Sequence, residues 1–487
     1  MKKMKKLFCV LTAMVMVLAM GITASAADIT IKGGANGSEY AAYKLLNVTD
    51  GGNGKFAYTV NEKYAAALET VTEKKAEREI VDYISNLNAE EIRTFADAVY
   101  AQVKELGADA VTAEDKFENV EQGYYLIVET KTGDAQDTYS LVMLDTAGKD
   151  AVEVTTKEDK TELEKKVKEK NDSTGEETGW QDAADYDIGD VIPFQLTGTV
   201  EDNYDNYKTY YYAFHDAMSE GLTFDKDSVK VAVDGNAVTA GYEVITEGLT
   251  EGCTFEVRFN DLKQISTVKA GSKITVEYNA VLNENAVIGT AGNPNTSKLE
   301  YSNNPYGDGK GETPEDKVVV FTYELEANKV DKDGAALAGA GFTLYKYDAD
   351  TKEYKAVGEE VTGVTTFAFN GMDAGKYKLV ETTVPDGYNK ADDILFTVEA
   401  VYDTNADNPT LTDLVVKDKD GKVISEGEGA VFAVDTTAGT MITDVVNLSG
   451  TELPSTGGIG TKIFYTVGAI LMIGAAVLMI TRKRISK

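Results

Sequence analysis

Most of the chain alternates apolar and polar positions with a period of two, the mark of half-buried β-strands. "DITIKG", "EYAAYKLL", "GYYLIVET", "YSLVML" and "AVEVTTK" carry this pattern up to residue 157. "IPFQLTGTV", "TYYYAF", "VKVAV", "ITVEYNAVL" and "SKLEYS" carry it from about residue 161 to 322, and "YELEANKV", "GFTLYKY", "TFAFNG", "GKYKLVET" and "ILFTVEAV" from 323 to about 448. Clusters of Gly, Asn and Asp separate the segments, as turns between antiparallel strands require. One stretch breaks the period. From Asn61 to Ala108 the chain is rich in Ala, Glu and Lys, with Ile80, Tyr83, Ile84 and Leu87 at helical spacing, which predicts one to three helices inserted in the first β unit. The pattern therefore predicts a mainly β protein of tandem sandwiches.

The two ends read differently. "MKKMKKLFCVLTAMVMVLAMGITASAA" has lysines, an apolar stretch and small residues at Ala24 and Ala26, the order of a secretory signal peptide cut after Ala26. Ile463 to Ile480 is uncharged and precedes "TRKRISK", which predicts a transmembrane segment with a cytoplasmic basic tail. Removing residues 1–26 and everything after Thr456 takes away nine of 48 basic residues and none of 81 acidic ones, so the net charge falls from −33 to −42. Such a surface excludes nucleic acid as a partner, because phosphate binding needs a basic footprint. With Cys9 gone, Cys253 stands alone, so no intramolecular disulfide can staple the exported chain. The single histidine, His215, disfavours triad hydrolases and histidine-ligated metals.

"LPSTG", Leu453, Pro454, Ser455, Thr456 and Gly457, followed by an apolar span and "RKR", resembles the cell-wall sorting signal of Gram-positive surface proteins. The resemblance implies cleavage between Thr456 and Gly457 by sortase, a membrane transpeptidase whose thioacyl intermediate is resolved by an amine. Pro and Gly keep this stretch extended and its carbonyl accessible. The chain also resembles pilins, whose acceptor lysine follows a V-x-V at the end of the first domain. In "VEVTTKED", Val152 and Val154 match and Lys157 takes the acceptor position, with Lys160 the alternative. Thr155, Thr156 and Glu158 depart from that family's Tyr, Pro and Asn.

"YKLVETTVPDGY", Tyr377 to Tyr388, resembles the E-box of collagen-adhesin B-type domains, with Val384 in place of Ala. Strand parity puts Tyr377, Leu379 and Glu381 on one inward face, and a buried carboxylate is costly unless protonated or paired. In the family this acid promotes an isopeptide bond between a lysine of the first strand and an asparagine of the last. Parity selects Lys329, beside Leu325 and Ala327, and Asn447, beside Val445. The amide would be the missing staple. The same search in the middle unit gives Lys165 with Leu163 and Val167, Asp216 with Tyr212 and Phe214, and Asn303 with Leu299 and Tyr301. Glu277 is the alternative acid, though it alternates with Val276 and Tyr278 and so points outward. The first unit has Glu129 in a degenerate E-box and Lys32 on its first strand, but "AVEVTTK" offers no asparagine, so no bond is expected there. "VDKDG" and "KDKDG" read as hairpin turns; an EF-hand loop from Asp418 fails because Gly429 stands where the bidentate Glu belongs.

These resemblances imply a structural major pilin with immunoglobulin-like sandwiches, polymerised by sortase into a surface pilus, anchored to peptidoglycan and supporting adhesion. The implied subunit is not an enzyme and has no expected cofactor or assigned metal ligand, with a calcium site elsewhere left open. Expected units are 1–26 signal peptide, 27–157 β domain with helical insertion, 158–322 middle isopeptide sandwich, 323–450 C-terminal collagen-adhesin B-type domain, and 451–487 sorting signal with transmembrane segment 463–480. Expected partners are sortase, identical subunits and peptidoglycan; accessory pilins and a host or glycan ligand stay open. A monomeric wall-anchored adhesin is the alternative.

Overall fold

The computed structural model describes residues 26–33, 36–132, 139–155, 161–249, 252–449, 465–473 and 475. The signal peptide, Lys157, Lys160 and the LPSTG stretch lie outside the described residues, as does about half of 463–480. No helix among the described residues is long and apolar enough to cross a membrane.

In the N-terminal part, Ala26–Lys32 lies between Lys116–Glu121 and Ala151–Thr155, antiparallel to the former and parallel to the latter. A second sheet runs Phe56–Val60, Glu39–Asp50, Gly123–Lys131, Leu141–Asp145. Three α-helices, Ala65–Thr72, Glu77–Ser85 and Ala89–Val103, form the insertion. Strand 39–50 is apolar at both parities because both its faces are covered. Tyr40 and Ala42 face the first sheet with Ile29, Phe117 and Ile127, while Ala41, Tyr43 and Leu45 face the helices with Leu68, Phe95 and Val99. Ile80 and Ile84 join that second core; Tyr83 of the same helix stays exposed.

The middle part is a sandwich. One sheet runs Asn236–Val238, Leu222–Val233, Lys273–Leu282, Val191–Thr199, Leu163–Val167; the other runs Ala183–Asp185, Asp316–Phe321, Asn293–Ser302, Tyr212–Met218, Phe255–Phe259, Glu243–Ile245. Strand 293–302 alternates strictly between buried and partly exposed, so every odd-numbered residue faces the core. Phe194, Phe214, Phe255, Tyr278 and Tyr301 fill the space between the sheets.

The C-terminal part is a second sandwich. Its smaller sheet runs Thr366–Met372, Tyr323–Asp331, Thr440–Asn447, Phe432–Asp435, and its larger one Glu353–Ala356, Gly341–Asp348, Gly375–Thr383, Ile394–Tyr402, Leu411–Asp418. The first and last strands are parallel neighbours, with Lys329 opposite Val445 and Asp331 opposite Asn447. The two sandwiches are fused rather than strung on a linker. Phe321 and Tyr323, on either side of the expected 322/323 boundary, share one core. The stretch from Glu169 to Asp190 bridges the two: its strand Ala183–Asp185 pairs with Asp316–Phe321 of the middle sandwich, while Asn171 Nδ2 donates to Ala374 O, the Asp182 amide to Thr404 O, and the Ile188 amide to Gly371 O of the C-terminal part. Gly371 has φ +78° and lies so close to Ile188 that a Cβ there would stand 2.4 Å from its side chain, so glycine is required on both counts. Both acidic stretches form the expected turns, closed by Gly334 N–H to Asp331 O and Gly421 N–H to Asp418 O.

Candidate functional site: buried lysine clusters

In the C-terminal sandwich, strand parity turns Lys329, Glu381 and Asn447 into the core, and all three are at least 98% buried. Asn447 Nδ2 donates to Glu381 Oε1 at 2.7 Å, while Glu381 Oε2 accepts the Ala391 amide at 2.7 Å. Lys329 Nζ lies 3.9 Å from the same Glu381 Oε1 and donates to the Val445 carbonyl at 2.9 Å. Burial pulls the Lys329 amine down to about 8, against the smaller opposing pull of Glu381. The buried Asn447 Oδ1 makes no hydrogen bond among the described residues. The arrangement places one carboxyl oxygen between a lysine nitrogen and an amide nitrogen, in a dry site with an amine that neutralises easily.

The middle sandwich holds a second cluster with different parts. Lys165 Nζ meets Asp216 Oδ2 at 2.5 Å and Tyr278 Oη at 2.7 Å; the Tyr278 hydroxyl donates to Asp216 Oδ2 at 2.8 Å. Asn295 Nδ2 donates to Tyr278 Oη at 3.1 Å. All four residues are essentially buried. Burial lowers the lysine and raises the aspartic acid, each against the attraction of the other. Glu277 points outward, as parity requires, and accepts from Gln195 on the exposed face.

Asn303 is not part of this cluster. It is buried and shares the inward parity, but its strand register carries it away: Asp216 faces Ser297, and Asn303 lies six residues further on, roughly 20 Å along an extended strand. Its backbone joins Tyr139 and Gly309 instead. Asn295, two residues before Ser297, is the asparagine the fold brings to Lys165 and Asp216. Sequence reading missed both Asn295 and Tyr278. Their inward parity was visible, but not their depth along the strand. In the first unit Lys32 is exposed and pairs with Glu153 at 2.8 Å, while Glu129 is buried on the other sheet and accepts the Ser140 amide.

A third buried lysine sits at the junction of the two sandwiches. Lys346 Nζ reaches Asp187 Oδ2 at 2.6 Å, Asp373 Oδ1 at 2.7 Å and Asp172 Oδ2 at 3.0 Å. Asp172, Asp187, Asp190 and Asp373 bring carboxylate oxygens within 4.8 Å of one another, and the ammonium lies among them. Beside it the Tyr402 hydroxyl lies between Glu169 Oε2 and Asp185 Oδ1, one phenol proton for two acids. One carboxyl must keep a proton to complete that chain.

Residues 188–305 match the Gram-positive pilin backbone subunit 2, Cna-B-like domain, residues 323–410 the prealbumin-like fold domain, and residues 449–487 the LPXTG cell wall anchor motif. The matched segments fall in the middle sandwich, in the C-terminal sandwich and at the end of the chain, and each covers less than half of it. A relative in Streptococcus pyogenes serotype M6, the trypsin-resistant surface T6 protein, is 29% identical over 363 residues, 61% of this chain and 65% of that protein, so the match spans just under two thirds of the relative's length. The solved T6 backbone pilin of the same serotype, described as a modular three-domain structure, covers 89% of this chain and 100% of its own at 19% identity and a TM-score of 0.56, which establishes the shared fold. The full-length major pilin SpaD of Corynebacterium diphtheriae covers 87% of this chain and 98% of its own at 17% identity and a TM-score of 0.49. The chain is thus mainly β, built of immunoglobulin-like sandwiches, and carries a cell-wall anchor motif at its end.

Proposed function

We propose that this chain is a pilus subunit covalently joined twice over: to its neighbours by sortase, and to itself by two lysine–asparagine amides. The buried Lys329–Glu381–Asn447 cluster carries the internal half of the reading. A neutral Lys329 amine attacks Asn447 Cγ while Glu381, hydrogen-bonded to the amide, polarises it, and ammonia leaves as the new C–N bond forms. Lys165 reacts in the same way with Asn295, promoted by Asp216. Each chain performs this chemistry once on itself, so the subunit is a structural protein and a sortase substrate. The external half rests on the sorting motif. Sortase cleaves between Thr456 and Gly457 and passes Thr456 to Lys157 of another copy, or to peptidoglycan at the base.

Intact mass and cross-linked peptides from the wall polymer test both halves. The folded chain is expected to be two ammonia masses lighter than its sequence, with peptides joined at Lys329–Asn447 and Lys165–Asn295. Lys157→Ala is expected to abolish the high-molecular-weight ladder of wall extracts and leave anchored monomers, whereas Lys160→Ala keeps the ladder. An unmodified mass would refute the amides, and a single band from the unaltered protein would turn the reading to a monomeric wall-anchored adhesin.

A further inference from the structure

The two clusters contain different proton-handling groups. Amide exchange between Lys and Asn must move a proton from the attacking nitrogen to the departing one, because an amide nitrogen leaves only as ammonia. In the C-terminal cluster a single carboxyl oxygen, Glu381 Oε1, lies beside both nitrogens, at 3.9 and 2.7 Å. The middle cluster has a shorter acid and an added phenol. Tyr278 Oη stands 2.7 Å from Lys165 Nζ and 3.1 Å from Asn295 Nδ2, and its own hydrogen points to Asp216 Oδ2 at 2.8 Å.

We propose that the Tyr278 hydroxyl is the proton relay of the Lys165–Asn295 amide-forming step. The inference rests on reading this cluster as a cross-linking centre. As Lys165 Nζ bonds to Asn295 Cγ, its surplus proton passes to Tyr278 Oη, while the phenol hydrogen turns from Asp216 Oδ2 and passes to Asn295 Nδ2, whose lone pair is freed as Cγ becomes tetrahedral. The Cγ–Nδ2 bond then breaks with its electron pair on nitrogen, ammonia departs, and the phenol ends neutral. Asp216 keeps its proton throughout and polarises the amide; Asp216 Oδ1 and Asn295 Oδ1 are both buried without hydrogen-bond partners among the described residues.

The environment suits a relay better than a base. Burial holds the Tyr278 phenol well above its ordinary range, so it stays protonated and can accept and donate at once. Its ring is clamped. Phe194 stacks on it at 5.5 Å with an interplanar angle of 15°, and Phe255 meets it edge-on at 4.9 Å. The hydroxyl therefore has one place to be, and that place touches both nitrogens.

Tyr278→Phe keeps the ring and removes only the oxygen. Full-length chain made by in vitro synthesis, quenched in acid denaturant at intervals and digested, reports both amides from one sample. In the unaltered chain the Lys165–Asn295 peptide is expected to accumulate with folding. In Tyr278→Phe its formation should slow by about 10²-fold, the scale of general acid–base assistance, while Lys329–Asn447 forms at an unchanged rate. Melting of the middle sandwich in a Lys165→Ala background, with and without Tyr278→Phe, separates chemistry from packing. Unchanged melting together with slowed amide formation supports the relay. Formation at the unaltered rate overturns it and leaves the cross-link standing, and slowing matched by loss of the fold in the Lys165→Ala background assigns the tyrosine to packing and also overturns it. Absence of any Lys165–Asn295 peptide from the unaltered chain removes the cross-link itself.

Discussion

Lys329 and Lys346 lie on opposite sheets of the same sandwich, both with their ammonium groups out of water, and they differ in what meets the nitrogen. Lys329 has backbone carbonyls and one carboxyl at 3.9 Å, and burial wins: its amine falls to about 8. Lys346 has three carboxylates within 3.0 Å, and although burial pulls its amine down, Asp373 and Asp187 pull harder, so it stays charged well above the ordinary lysine range. A buried lysine is thus not by itself a nucleophile. One acid shared with an amide prepares it to react, and several acids without an amide lock it as a cation.

The largest expected effect separates a covalent from an ionic role. Asn447→Ala should make the chain one ammonia heavier relative to its own sequence mass than the unaltered protein, and cost about 4 to 5 kcal/mol, the chain-entropy value for a loop of more than 100 residues. Calorimetry with intact mass checks both. Lys346→Met should leave the ammonia count untouched and still destabilise by about 3 to 5 kcal/mol, because the carboxylates around it stay buried without their cation. Early proteolytic cleavage between the sandwiches is its expected sign. A change in ammonia count on Lys346→Met would erase the contrast.

pH should move the two regions in opposite senses. At the junction, burial and the nearby Asp185 charge raise Glu169 to about 7, and burial with Asp187 and Asp172 raises Asp190 to about 6. These acids bind protons when docked that they release when open, so docking is fully supported below about pH 4 to 4.5 and that support is lost as pH rises through 6 to 7. The Asp373 and Ala374 amides, which donate to Asp187 and Asp185, should therefore exchange with solvent more readily at pH 8 than at pH 5, after correction for intrinsic rates. Unreacted Lys329 in Asn447→Ala runs the other way. Its folded value lies below the unfolded one, so that domain should gain stability as pH rises above about 8. The smallest effect concerns Asn303→Ala, which should leave both amides intact, whereas Asn295→Ala removes the middle one.

How much was legible follows from what each pattern measures. Parity assigns a face, and it placed Lys329, Glu381, Asn447, Lys165 and Asp216 inward, where the structure has them. In the C-terminal unit a motif and two chain-end strands also fixed how far along each strand the residues lie. The middle unit had no such marker for its asparagine. Asn293, Asn295 and Asn303 are all odd-numbered and all buried, and only the pairing of Asp216 with Ser297 chooses among them. That pairing is a long-range property absent from any local pattern. Lys346 was illegible for a related reason, since its partners come from residues 172, 187 and 373, and its strand gives no sign that another sandwich will cover it.

The parallel pairing of the first and last strands of the C-terminal sandwich has a mechanical consequence. The chain enters at Tyr323 and leaves past Asn447 at the opposite end. With Lys329 joined to Asn447, tension travels along residues 323–329, crosses the amide and exits, so residues 330–446 carry none of it. Insertions in that span lengthen the domain without making the fibre more extensible, and its surface is free to diversify. Residues 296–328, between Asn295 and Lys329, lie outside both covalent loops. With both proposed amides in place, this is the stretch of the load path whose resistance to extension rests on strand pairing alone, through Asn293–Ser302, Asp316–Phe321 and Tyr323–Asp331.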